Sequence, residues 1–109
     1  MDLKHLTEDV VAIFKKYEQT GTAPWTAQIA GRDLSYQIGS LTKVLMQIDG
    51  QRHAEGKTPE ELKAKVADEL ADILAEVLFI AHKMDISIED AWQKMLGSDN
   101  SKISQRSSK

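Results

Sequence analysis

The chain has 109 residues, 41% of them apolar, and a formal net charge of −3. That length suits one domain with a modest core, which gains stability from self-association. The absence of cysteine excludes disulfide scaffolds, thiolate metal sites and cysteine nucleophiles, and the weak negative charge argues against a nucleic-acid partner, which needs a basic surface.

No apolar run approaches the ~20 residues that a membrane span requires. The start of the chain carries Asp2, Lys4 and His5 and lacks the apolar stretch of a signal peptide. A cytoplasmic location with no membrane partner is expected. Leu, Ala, Ile, Lys and Glu dominate, and they favour helix.

Residues 3–19 read as a first helix. Leu3, Leu6, Val10, Ile13, Phe14 and Tyr17 recur at spacings of three and four. Gly21 lies just past its end, where a left-handed cap sits. Thr20, Gly21, Thr22 and Pro24 break the pattern, and Trp25 follows. A tryptophan in so short a loop is either a plug for the end of a bundle or a stacking surface.

A second helix starts at Ala27 or Asp33 and runs to Ile48. Leu34, Ile38, Leu41, Leu45 and Ile48 repeat four-three-four-three, the pattern of a bundle or coiled-coil seam. Gly56, Lys57, Thr58 and Pro59 form the next break. Thr58 reads as an N-cap, Pro59 as the first helical residue, and Glu61 completes a capping box.

The third helix is expected from Pro59 to about Met84. Its wide apolar face holds Leu62, Val66, Leu70, Ile73, Leu74, Val77, Leu78 and Ala81. At ~1.5 Å per residue it is ~40 Å long and forms the spine of the fold. Ser87 caps a fourth helix whose apolar face is Ile88, Ala91, Trp92, Met95 and Leu96, and Gly97 reads as its end. Residues 98–109 read as a polar, basic, frayed tail after a single helical domain spanning 1–97. Short connections between four helices make an antiparallel four-helix bundle the expected fold.

Glu69, Asp72 and Glu76 are spaced by three and four, so they share one side of the third helix, at the flank of its apolar face. Clustered carboxylates repel unless something positive neutralises them. Helical ion pairs on a solvated face are one solution, and Lys65 is placed to pair with Glu69 or Glu61. A Mg²⁺ ion, which prefers hard oxygen ligands, is another. His5, His53 and His82 show no metal-ligand spacing, and Met46, Met84 and Met95 read as core fillers. No glycine-rich phosphate loop or serine-nucleophile motif is present.

The order of these features is informative. A helix carrying DLSYQIGSLTKVLMQI precedes a polar connection, then KVADELADILAEVLFIAHKMDISIEDAW, then the basic tail. Over roughly residues 25–106 this resembles the MazG-like, all-α nucleoside triphosphate pyrophosphohydrolase superfamily. That family carries ExxE on one helix and ExxD on the next. Its carboxylates hold Mg²⁺, and it splits a nucleoside triphosphate into monophosphate and pyrophosphate.

Here the ExxD half is intact as Glu69-Leu70-Ala71-Asp72. The ExxE half reads Gln37-Ile38-Gly39-Ser40, and the spacer from Leu41 to Asp68 is 28 residues. The resemblance therefore implies a divergent enzyme using Mg²⁺ or Mn²⁺, with Glu69 and Asp72 as metal ligands. Glu76 would be a third ligand or the acceptor for the water, and Gln37 and Ser40 would be degenerate metal positions. It also implies an aromatic near the base at Trp25, tail contacts to phosphates from Asn100, Lys102 and Arg106, and a homodimer or homotetramer. The alternative is an inactive relative that binds nucleotide or serves as an oligomeric helix bundle.

Overall fold

The computed structural model describes residues 2–107, and the described chain is all-helical: α1 (Leu3–Gln19), α2 (Ala27–Ile48), α3 (Pro59–Lys83) and α4 (Ile88–Ser107). Local chemistry sets the helix starts. Asp2 caps α1 by accepting the His5 N–H at 3.0 Å, and Thr26 caps α2 by accepting the Ile29 N–H at 3.1 Å. At α3 the capping box is complete. The Thr58 hydroxyl accepts the Glu61 N–H, and the Glu61 carboxylate accepts the Thr58 N–H, both at 3.1 Å. The Ser87 hydroxyl accepts the Asp90 N–H at 3.2 Å. Each cap satisfies a backbone donor that the first helical turn leaves orphaned.

Two expectations need correction at α4. Gly97 does not end it, and the residues read as a frayed tail are helical as far as Ser107. Gly97 has no neighbour within 4 Å of where a side chain would begin, so its cost is only the ~1 kcal/mol of backbone freedom that a mid-helix glycine carries. Ser108 and Lys109, the last two residues of that tail, lie outside the described residues. Past Ile88, α4 is exposed along its length.

The packed part of the molecule is α1, α2 and α3. Ala30 and Val44 of α2 and Leu62, Leu78, Phe79 and Ala81 of α3 are buried. Phe14 of α1 stacks on Phe79, with ring centroids 4.1 Å apart, and Trp25 tilts onto Phe14 at 5.4 Å. Trp25 thus packs at the α1–α2 corner and stays half-buried.

α2 and α3 run antiparallel. Ser40 meets Glu69, and Asp33 meets Glu76: seven residues back along one helix is seven forward along the other. The face of α2 turned to α3 is Ala30, Asp33, Gln37, Ser40, Val44 and Gln47, all buried or half-buried. This differs from the expected seam by one residue, or about 100° of rotation. Leu34 and Leu41 remain half-buried, but Ile38, Leu45 and Ile48 are exposed. The apolar stripe of α2 therefore points away from α3, and a polar stripe takes its place.

Candidate functional site

Putting a polar stripe into a helix interface costs free energy unless each group finds a partner. Glu69 lies on the inner face of α3 and is 3% exposed. Its Oε1 accepts the Ser40 hydroxyl at 2.9 Å and sits 3.2 Å from Lys65 Nζ, one turn back on its own helix. Glu76, two turns further on, is 6% exposed. Its neighbour is Asp33 of α2, another acid. Two carboxylates can hydrogen-bond only by sharing a proton. Burial first, then the hydrogen bond and charge of Asp33 and the charge of Asp72, push the Glu76 carboxyl up to about 8.

Asp33 was not among the residues that the sequence singled out. It stands one turn before Gln37 on the same face of α2, and the Gln37 amide approaches its Oδ2 at 3.5 Å. The signal was present in the spacing: Asp33, Gln37 and Ser40 continue a single four-three stripe. Its acidic partner is 43 positions away, and only the antiparallel register shows the pairing.

The structure therefore brings together Glu69, Glu76, Gln37 and Ser40 of the sequence-derived set and adds Asp33. Asp72 sits on the exposed edge of the same face, close enough for its charge to act on Glu76. Asn100, Lys102 and Arg106 lie on exposed α4, and among the described residues no hydrogen bond or ion pair ties them to the α2–α3 site. Trp25 lines an open groove with Ile29, Arg32, Asp33 and Tyr36. Glu55 pairs with Lys43 at 3.7 Å and Glu61 is spent on the α3 cap, so neither replaces the missing glutamates.

Gln47, at the far end of the polar stripe, is structural. Its amide donates to the His53 carbonyl at 3.0 Å and holds the α2–α3 connection against the bundle. His53 Nδ1 in turn accepts the Glu55 N–H at 2.8 Å.

The divalent cation implied by the resemblance can be tested against these groups. The donors facing the α2–α3 seam are all oxygens or amides, the hard ligands that Mg²⁺ and Mn²⁺ take. Glu69 Oε2 and Glu76 Oε2 are buried with no hydrogen-bond partner. An orphaned buried acceptor costs about 1–3 kcal/mol, and a cation bound at either would satisfy it. The donor set fits in kind. Among the described residues no three acidic, histidine or cysteine side chains already converge as a metal cluster. Without the cation, Lys65 and a shared proton supply the positive charge instead.

Among the described residues no helix is long and apolar enough to cross a membrane. A search of curated proteins and a search of solved structures find no match. A model of the MazG nucleotide pyrophosphohydrolase domain matches residues 41–109, beginning immediately after Ser40 and taking in all of α3 and α4. The match spans more than half of the chain and includes Glu69, Asp72 and Glu76, so the protein belongs to the MazG nucleotide pyrophosphohydrolase family.

Proposed function

We propose that this protein hydrolyses a nucleoside triphosphate to the monophosphate and pyrophosphate with Mg²⁺ or Mn²⁺. The observation that carries this reading is the pair of buried carboxylates, Glu69 and Glu76, each with an oxygen that no protein group satisfies. The family is generally dependent on a divalent metal. When bound, such a cation neutralises phosphate charge and lowers the pKa of a bound water.

Glu69 and Asp72 would hold the cation on α3. The Ser40 hydroxyl fixes the Glu69 carboxylate in place through its 2.9 Å hydrogen bond, which keeps Oε2 free. Glu76, on the same face of α3 and beside Asp33, is a third ligand or the acceptor for the water. In its ionised form it accepts the proton of the attacking water. Trp25 and Tyr36, on the groove that reaches Asp33, offer aromatic faces for a base.

Pyrophosphate release over a panel of nucleoside triphosphates, with Mg²⁺ or Mn²⁺, tests the reading. Turnover is expected from the parent and is abolished in the double variant Glu69→Gln, Asp72→Asn. Equal release from both proteins would sink it.

A specific observation favours a second reading, a non-catalytic relative that binds nucleotide. Gln37 and Ser40 bring no charge to the site, and Lys65 already places an ammonium on Glu69. Such a protein is stabilised by nucleotide and cation through mass action while releasing no pyrophosphate.

Either reading includes assembly as a homodimer or homotetramer. Ile38, Leu45 and Ile48 on α2 and Trp92, Met95 and Leu96 on α4 are exposed apolar residues. The radius of gyration is 17.8 Å, against about 13 Å for a compact chain of 100 residues. A second copy that covers these stripes removes both anomalies.

A further inference from the structure

We propose that Asp33 is a metal-binding carboxylate of this site, acting with Glu76 across the α2–α3 seam in place of the charge that Gln37 and Ser40 lack. The inference rests on the divalent-metal reading above and places the ligand set within it. Asp33 lies outside both the ExxE/ExxD pattern and the matched residues 41–109.

The argument starts from the inner face of α2. Of Ala30, Asp33, Gln37, Ser40, Val44 and Gln47, Asp33 alone is ionisable. It is half-buried, and it faces Glu76, which is nearly fully buried. Two acids pressed together in a low-dielectric seam repel when both are ionised. An ordinary helix interface would answer with a basic residue.

Here the amide of Gln37 approaches Asp33 only at 3.5 Å. Lys65 is engaged two turns away with Glu69. Glu76 Oε2 has no partner, although it is buried where a lost hydrogen bond is costly. A shared proton holds the pair together in the absence of anything else. A hard dication does so better, because it satisfies both carboxylates and the orphaned oxygen together.

Access is available as well. Asp33 lines the open groove with Trp25, Ile29, Arg32 and Tyr36, so an ion and a phosphate can reach its carboxylate from solvent. The site is thus moved one turn along α2 from the family's position, and it keeps charge on both helices.

The test is Mn²⁺ binding by the full chain, followed by calorimetry and by electron paramagnetic resonance of free Mn²⁺. Three proteins are compared: the parent, Asp33→Asn and Glu69→Gln. Asparagine keeps the size of the side chain and can donate to Glu76, so the helical signal and the melting temperature are expected to hold. Mn²⁺ affinity is expected to fall at least about tenfold in Asp33→Asn.

Unchanged affinity in Asp33→Asn, with loss in Glu69→Gln, overturns the inference and leaves the metal reading standing. No Mn²⁺ binding by the parent overturns the metal reading itself, and the inference with it. If Asp33→Asn fails to fold, Glu76→Gln takes its place, and unchanged affinity there overturns the proposal equally.

Discussion

Glu69 and Glu76 sit on the same face of the same helix, two turns apart, and both are buried. They are neutralised in opposite ways. At the Glu69 end the seam supplies a hydroxyl from α2 and an ammonium from α3, so the carboxylate meets fixed donors of the protein. At the Glu76 end the seam supplies a second acid, and the balancing charge has to come from solution as a proton or a cation. One end is closed by the protein and the other is left open. A buried acid that the fold does not neutralise is the kind of group that binding sites retain at a cost in stability.

The largest expected effect concerns the open end. Glu76 is raised from an ordinary glutamate value of 4.5 to about 8, so the folded state holds its proton more tightly than the unfolded chain does. Its contribution to stability is complete below the unfolded value and is lost as pH rises through the folded one. Parent stability should therefore decline between about pH 5 and pH 9 in the absence of divalent ions, by on the order of a few kcal/mol. Glu76→Gln, which mimics the protonated acid, should flatten that decline and be the more stable protein at the alkaline end. Urea unfolding followed by circular dichroism reads both. Identical pH profiles for parent and variant would remove the distinction between the two ends.

The closed end should respond to the loss of its donor. Ser40→Ala removes the hydroxyl that bonds Glu69 Oε1 at 2.9 Å and leaves a buried carboxylate with Lys65 as its partner. Hydrogen bonds to charged groups are worth about 1.5–3 kcal/mol, so a loss of about 1.5–2 kcal/mol in urea unfolding is expected. A variant as stable as the parent would mean that Ser40 does not hold Glu69.

What was legible in the sequence divides along similar lines. Helix starts at Thr58 and Ser87 were readable because a cap is a local event, complete within four residues. The intact ExxD was readable for the same reason, since one helix turn defines it. The phase of α2 was not. Leu34, Ile38, Leu41, Leu45 and Ile48 show which face needs burying, but periodicity within one helix does not say which surface buries it. The structure gives α3 the polar face and leaves the apolar one outward. Asp33 was missed for a related reason. It stood at an uncertain helix start with no acidic neighbour at helical spacing on its own element. Its chemistry exists only in the register between two helices.

The smallest expected effect tests whether Glu69 takes a metal at all. Lys65→Met keeps the aliphatic stem and removes the ammonium from Glu69 Oε1. The pair is half-open to solvent on the lysine side, so the stability cost is about 0.5–1 kcal/mol and shrinks with added salt. Its effect on Mn²⁺ affinity differs between two cases. If Glu69 is a metal ligand, Lys65 competes with the cation for the same carboxylate, and the variant should bind Mn²⁺ a few-fold more tightly. If Lys65 is the permanent counterion of a site that no longer takes metal, the variant loses stability and gains no Mn²⁺ binding. Titrating the parent and the variant side by side at one ionic strength separates the two, because screening acts equally on both proteins and only the lysine differs.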